Sequence, residues 1–376
     1  MMTFNTSPHL IETVKTLARE GFPSGEAEPT ARKSNRRWKE LRRLGTKLWL
    51  DTGDVEGAAR QWTAEFSALT TNNTLLNREV QKGIYDDFIG RTLSSSGAFR
   101  DLDRKQKIIE IALVLNARHG LKLVDRFDAD VSVELHTDLA NDLEGTVWYG
   151  KRLFDMHPER FIVKVPLTAS GYLAARRLKT AGVRVNFTLG FSARQNYLAA
   201  LLAEPTFVNV FLGRLNSVVD DNDLGAGNNV GEKTLVASQE AITEVRAQRG
   251  LTTQQIAASM RSGDQVEALA AVDVMTLPLR VAEAFVSAEA QTEGLVPYEQ
   301  QRYPVDLKAG PSRAVVNALW DVPQAFKETA QRVLDEPVYS FTADDLQGFF
   351  IERGFGDLFP AWSEDDIQTI TEDGKI

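Results

Sequence analysis

The chain contains no cysteine and only four histidines. The first absence excludes disulfides, thiol catalysis and thiolate metal sites, and it fits a reducing compartment. His9, His119, His136 and His157 show no ligand spacing, so no metal site is expected. Long hydrophobic runs are also missing. The first twenty residues carry Glu12, Lys15, Arg19 and Glu20 among their apolar positions, which leaves neither a secretion signal nor a membrane span; the cytoplasm is the expected compartment. Positive charge is in deficit: 43 Lys and Arg against 52 Asp and Glu give a net charge of -9. That argues against nucleic-acid binding while leaving room for local phosphate-binding patches. No nucleotide motif is present either. Gly225-Ala-Gly227-Asn-Asn-Val-Gly231-Glu232-Lys233-Thr234 has Glu232 inside the Gly-Lys-Thr and the wrong spacing, so it reads as a flexible loop before a helix, and no cofactor is expected.

What is present is 376 residues, 43% of them hydrophobic, enough for one barrel-sized core or two ordinary domains. Residues 1–45 read as a helical extension. A short amphipathic stretch around Leu10, Ile11, Val14 and Leu17 leads through a polar link to Trp38, Leu41 and Leu44, set among Arg36, Arg37, Lys39, Arg42 and Arg43. The second stretch is predicted to be a helix with a solvated basic face. From Lys47 the pattern becomes short apolar runs separated by amphipathic ones. Strands are predicted at 47–51, 66–70, 130–135, 161–165, 184–188, 206–212, 255–259 and 272–277, with helices between them and a long helical insert after the second. Residues 291–376 read as helices at 313–334, 342–353 and 367–371, the last two with capping-box-like starts at Thr342 and Ser363. This segment is expected to pack on the barrel or on a neighbouring subunit, with a lid as the alternative; a homodimer is left open.

Eight strand–helix units over about 245 residues are what a (β/α)8 TIM barrel requires, with a doubly wound sheet as runner-up. The barrel is favoured because polar residues fall at the C-terminal ends of strands one to seven: Asp51, Asn72, Glu134, Lys164, Asn186 with Thr188, Arg214, and Ser259 with Arg261. In a barrel those ends converge on one mouth. Lys164 lies in the apolar run Phe161-Ile-Val-Lys-Val165, where it must find a carboxylate, bend out to water or lose its proton. The last option makes a nucleophilic amine. His136, two positions past Glu134, is a further candidate on the same strand face.

These residues resemble the transaldolase family of Schiff-base-forming barrel enzymes. The motifs that carry the resemblance are Leu50-Asp-Thr-Gly-Asp54, Leu69-Thr-Thr-Asn-Asn-Thr-Leu75, Val131-Ser-Val-Glu134, Val163-Lys-Val-Pro166, Val185-Asn-Phe-Thr-Leu189, Phe211-Leu-Gly-Arg214 and Ala257-Ala-Ser-Met-Arg261. They occur in the family's order and cover roughly residues 46–290. The resemblance implies that Lys164 attacks the C2 carbonyl of a ketose phosphate and that Asp51 takes the proton from the C4 hydroxyl. It further implies that Glu134 moves protons through a water held by Thr188. Asn72, Asn186, Asn209 and Phe211 would line the sugar site, and Arg214, Ser259 and Arg261 would hold phosphate. The implied partners are phosphorylated sugars, and the implied reaction is transfer of a dihydroxyacetone unit in the pentose phosphate pathway.

The sequence also departs from the family. Asn73 stands where proline is usual, Asn209 where a serine that contacts the sugar is common, and Gly190 where a bulkier apolar residue follows Thr188-Leu189. Relatives that act as fructose-6-phosphate aldolases tend to carry glutamine at the position of Glu134 and tyrosine at that of Phe211, so this chain resembles the transferring members. Free cleavage, an unusual sugar, and a non-catalytic or regulatory barrel whose extensions carry the function through protein contacts stay as alternatives, and at the site Glu134 or Asp51 as the mere ion partner of Lys164.

Overall fold

The protein is represented by a computed structural model that describes residues 7–24, 33–95, 97–288, 294–310 and 312–360. Eight parallel strands close into one barrel: β1 (Lys47–Asp51), β2 (Phe66–Thr70), β3 (Asp130–Glu134), β4 (Phe161–Pro166), β5 (Val185–Thr188), β6 (Phe207–Phe211), β7 (Gln254–Ala258) and β8 (Val274–Pro278). β8 pairs back onto β1, so the open sheet is excluded. Six of the helices that follow the strands begin where the sequence supplies a cap. Asp54, Asn72, Asp142, Thr168, Ser192 and Ser262 each accept a hydrogen bond from the backbone N–H three residues on.

Alternation along the strands divides the core in two. Leu48, Leu50, Leu69, Val131, Val133, Val163, Val165, Val185 and Phe187 belong to the large outer core between sheet and helices. Trp49, Ala68, Ile162, Phe207, Ile256, Ala258 and Val274 form a separate cluster, the filling of the barrel interior. Trp49 and Phe207 meet edge to face there, ring centroids 4.7 Å apart. Because side chains repeat every two residues, the next inward position along β1 is Asp51, along β2 Thr70, along β4 Lys164 and along β6 Asn209. On these four strands the interior therefore changes from apolar to polar within one step.

The N-terminal helices are bound to this barrel. The helix Arg36–Arg43 buries Trp38 and Leu41, with Trp38 against Phe66 (5.2 Å) and Phe285 (4.6 Å). Its basic face is not wholly solvated: Arg37 turns inward, pairs with Glu267, donates to the Phe285 carbonyl and lies 4.0 Å over the Phe285 ring. Unpaired, that cation would be costly to bury.

The predicted continuous helix over 313–334 is divided into Ser312–Asn317 and Gln324–Arg332. Pro323 is the reason, since it lacks an N–H and disfavours a helical residue before it. The helix Ala343–Ile351 forms with the predicted Thr342–Asp345 capping box. The predicted helix at 367–371 and the Ser363 start lie outside the described residues. Phe326, Phe350 and Phe359 pack beside Tyr172 and Tyr197 of the barrel's outer helices, at 5.3 Å for Tyr172–Phe359 and 6.0 Å for Tyr197–Phe326. The Gly225 loop is not free: Gly225–Ala226 pairs antiparallel with Asp306–Leu307, and Asp220 accepts from the Gly227 N–H. Among the described residues no helix is long and apolar enough to cross a membrane.

Trp38→Ala is expected to lower stability by about 3–5 kcal/mol, the usual cost of emptying a buried aromatic site. Urea unfolding measures it; a loss below about 1 kcal/mol would show that the N-terminal helix is not integral to the core.

Candidate active site

The C-terminal ends of the strands open into a cavity of about 390 Å³, within the range of small-ligand sites. Asp51, Asn72, Glu134, Lys164, Asn186, Thr188, Asn209, Phe211, Arg214, Ser259 and Arg261 all line it, so every site residue singled out in the sequence except His136 is brought to one place. Thr70, Thr276 and Arg78 line it as well and were not singled out. His136 does not reach the cavity. The chain leaves β3 at Glu134, and His136 instead accepts from the Asp138 N–H at the start of a 3-10 turn.

Strand register sets the central trio. Glu134 pairs with Lys164 and Lys164 with Asn186 across β3, β4 and β5, so their side chains stand side by side on the inner face. Lys164 is 6% exposed, with its Nζ 3.6 Å from Glu134 Oε1 and donating to the Thr71 carbonyl at 3.4 Å. At 3.6 Å the ions pair without a short hydrogen bond, and both face the cavity rather than packed core. The other Glu134 oxygen, Oε2, accepts from the backbone N–H and from Nδ2 of Asn73, each at 2.9 Å. A proline at 73 could supply neither donor. Thr188 Oγ1 is buried with no hydrogen-bond partner among the described residues, and its residue lines the same cavity. A buried hydroxyl in that condition is suited to holding a water or a substrate atom.

Asp51 stands at the end of β1, enclosed by protein yet open to the cavity. Burial pushes its carboxyl above the usual aspartate range; Lys164 and a hydrogen bond from Thr70 Oγ1 (2.7 Å) act against this, while Glu134 adds to it. Thr70 is also 2.7 Å from Thr276 Oγ1, so a threonine pair from β2 and β8 fixes the carboxylate. The signal for Thr70 was its place two residues after inward Ala68; for Thr276, two after inward Val274. Arg78 reaches the mouth from the helix Asn73–Val80, and no sequence signal marks it.

The asparagines of the cavity wall are chained together. Asn209 Nδ2 donates to Asn186 Oδ1 (3.3 Å), and Asn186 Nδ2 donates to Ser132 Oγ (2.9 Å). Asn72 uses Oδ1 as the helix cap to Leu75 N–H (2.9 Å), while its Nδ2 makes no hydrogen bond to a described residue. Gly190 is required by space: a Cβ there would lie 2.0 Å from the Asn209 carbonyl oxygen. The glycine at 190 and the asparagine at 209 are thus parts of one close approach. Gly213 plays the same part for the anion side, where a Cβ would lie 2.2 Å from the Ser259 carbonyl. Its absence lets the start of the helix Leu212–Asp221, with Arg214, settle against Ser259 and Arg261. Ser259 and Leu189 take left-handed φ values of 62° and 63°, uncommon for such residues and placed at the rim.

Arg214 and Arg261 form no ion pair with any described carboxylate. Burial, with Arg280 and Arg214 nearby, holds the Arg261 guanidinium below its usual pKa, the signature of crowded cations. Arg78, Lys164, Arg214 and Arg261 outnumber Asp51 and Glu134 around the cavity of a chain whose net charge is -9. This local surplus favours an anion. No cluster of His, Cys, Asp and Glu among the described residues could hold a metal ion.

Comparison with known proteins agrees with this arrangement. The family model described as transaldolase/fructose-6-phosphate aldolase matches residues 48–348, reaching beyond β8 into the C-terminal segment, further than the sequence motifs extend. The chain is 31% identical over 245 residues to a protein named transaldolase from Xanthomonas oryzae pv. oryzae, covering 63% of this chain and 74% of that one. It is 28% identical over 262 residues to a transaldolase of Gloeobacter violaceus, covering 67% and 65%. It is also 28% identical over 255 residues to one of Saccharomyces cerevisiae, covering 65% and 74%. A closed (β/α)8 barrel and a family match over most of its length make this chain a member of the transaldolase/fructose-6-phosphate aldolase family.

Proposed function

We propose that the protein is a transaldolase that moves a dihydroxyacetone unit from a ketose phosphate, fructose 6-phosphate or sedoheptulose 7-phosphate, to an aldose phosphate through a Schiff base on Lys164, as in the pentose phosphate pathway. The observation that carries this reading is one buried amine flanked by Glu134 and Asp51 in a cavity with two unpaired arginines.

In this reading Glu134 takes a proton from the Lys164 ammonium, and the free amine adds to the C2 carbonyl to give a carbinolamine. Glu134, through a water on Thr188, returns a proton to the departing hydroxyl, and loss of water leaves the iminium. Asp51 then accepts the C4 hydroxyl proton as the C3–C4 bond breaks. The bond electrons flow into the iminium and leave an enamine, while the aldose phosphate departs. Attack of the enamine on the acceptor aldehyde, protonation by Asp51 and hydrolysis of the iminium complete transfer. Arg214, Arg261 and Ser259 bind the substrate phosphate, and Asn72, Asn186 and Asn209 hold sugar hydroxyls beside Phe211. No cofactor is needed, because the iminium is the electron sink.

The direct test is release of glyceraldehyde 3-phosphate from fructose 6-phosphate, with and without erythrose 4-phosphate, for wild type and Lys164→Ala. Lysine-dependent release that requires the acceptor is the expected result; equal release without acceptor would make the protein an aldolase. The pH profile tests Asp51. As the base it must be ionised, and burial raises it above 3.8, so the acid limb of kcat is expected above the ordinary aspartate range. Linkage runs the same way: a raised carboxyl binds its proton more tightly when folded, so stability falls as pH rises from 3.8 through the folded value. Asp51→Asn is therefore expected to lose activity while unfolding at an equal or higher temperature at pH 7; a clearly lower Tm would contradict the upward shift of the buried carboxyl. Arg261→Ala is expected to raise KM for the phosphorylated donor by about 10–100-fold, the scale of a lost charge-assisted contact. An unchanged KM would remove it from the phosphate site.

A further inference from the structure

The surroundings of Glu134 are more elaborate than a salt bridge needs. Both donors on Oε2 come from one residue, the backbone N–H and Nδ2 of Asn73, at 2.9 Å each. The same Nδ2 also donates to the Leu135 carbonyl at 2.8 Å. On its other side the Asn73 amide is read by Asn116, whose Nδ2 donates to Asn73 Oδ1 at 3.1 Å and to the Ala112 carbonyl at 3.0 Å. Asn116 is buried on the helix Arg104–Phe127.

We propose that Asn73 is a positioning residue that fixes Glu134 for proton exchange at the lysine-bound substrate, with Asn116 setting the direction of its amide. The inference rests on the role given to Glu134 above. A glutamate at a strand end has three rotatable side-chain bonds and several ways to face a cavity. Two donors from a single residue remove that freedom by fixing Oε2, which leaves Oε1 as the oxygen aimed at Lys164 Nζ. The amide cannot flip without loss. Reversed, Asn73 would set its oxygen against Glu134 Oε2 and the Leu135 carbonyl, and its nitrogen against the donating Nδ2 of Asn116: three mismatched contacts in a mostly buried site. The chain from helix to amide to carboxylate therefore has one polarity, ending on the proton carrier.

A capping role does not account for the contacts. Asn73 is the first residue of its helix, but the cap is Asn72, which takes the Leu75 N–H. The Asn73 side chain points away from that turn, toward β3 and the long helix. Removing it leaves its own backbone N–H on Oε2, so the expected fault is a loosened carboxylate rather than a lost one.

The test compares Asn73→Ala, Asn73→Asp, Glu134→Gln and the Asn73→Ala/Glu134→Gln double variant in transfer from fructose 6-phosphate to erythrose 4-phosphate. Asn73→Ala is expected to lower kcat by about 10–100-fold, the cost of a catalytic group displaced by about 1 Å, with KM changed by no more than about twofold. Asn73→Asp keeps the shape and puts an acid in the first helical turn, which favours folding, yet it sets an oxygen against Oε2. Its kcat is expected to fall at least as far. Since Asn73 acts through Glu134, the double variant should be no slower than Glu134→Gln alone. A wild-type kcat in Asn73→Asp, a change confined to KM, or losses that multiply in the double variant would each overturn the inference. Undiminished kcat in Glu134→Gln would instead overturn the role of Glu134 itself, and the two failures are thereby told apart.

Discussion

Closure of eight parallel strands is the constraint on which everything else here depends. Every second side chain must point into a space that cannot be left empty, and the sequence fills it with Trp49, Ala68, Ile162, Phe207, Ile256 and Val274. One step further along the strands the same inward row becomes Asp51, Thr70, Lys164, Asn209 and Thr276. The site is thus the top layer of the barrel core, made polar. Its geometry is set by hydrogen-bonded register rather than by loops, and a shift of one residue in β4 would turn Lys164 out into the helix layer.

Placing charges in that layer is expensive, and the structure offsets the cost with specific partners. Lys164 has Glu134 and the Thr71 carbonyl, Glu134 has both donors of Asn73, and Asp51 has Thr70. The pairing is incomplete by design of the cavity: Thr188 Oγ1, Arg214 and Arg261 remain for a ligand. A ligand that carries an anionic group and a hydrogen-bonding group satisfies that remainder. Around the site, two glycines do structural work that no side chain could. Gly190 admits the Asn209 carbonyl and Gly213 admits that of Ser259, so the asparagine side and the arginine side of the cavity each depend on a close backbone approach.

Much of this was legible in the sequence, and the reasons are local. Five of the strands are short apolar runs followed two to four residues on by capping Asp, Asn, Ser or Thr, and the residues placed at strand ends lie together in the cavity. What was not legible depends on tertiary context. Thr70 and Thr276 are ordinary strand residues until register brings their hydroxyls to 2.7 Å. Arg78 matters only because its helix leans over the mouth. Arg37 reads as one more surface charge in a basic run, and only packing on Phe285 and Glu267 turns it inward. His136 fits the strand's inward face by period two, but the strand stops first. Asn73 reads as a departure from a family pattern, and its meaning lies in two hydrogen bonds that connect it to Glu134. The break at Pro323 was available from sequence and was outweighed by the helical period on either side.

The central claim is that one buried lysine becomes covalently attached to the substrate. Borohydride reduction in the presence of fructose 6-phosphate, followed by proteolysis and mass spectrometry, measures this directly. The account predicts a reduced three-carbon adduct on the peptide containing Lys164, with inactivation in step with labelling. Inactivation without that adduct, or an adduct on a different lysine, would contradict it.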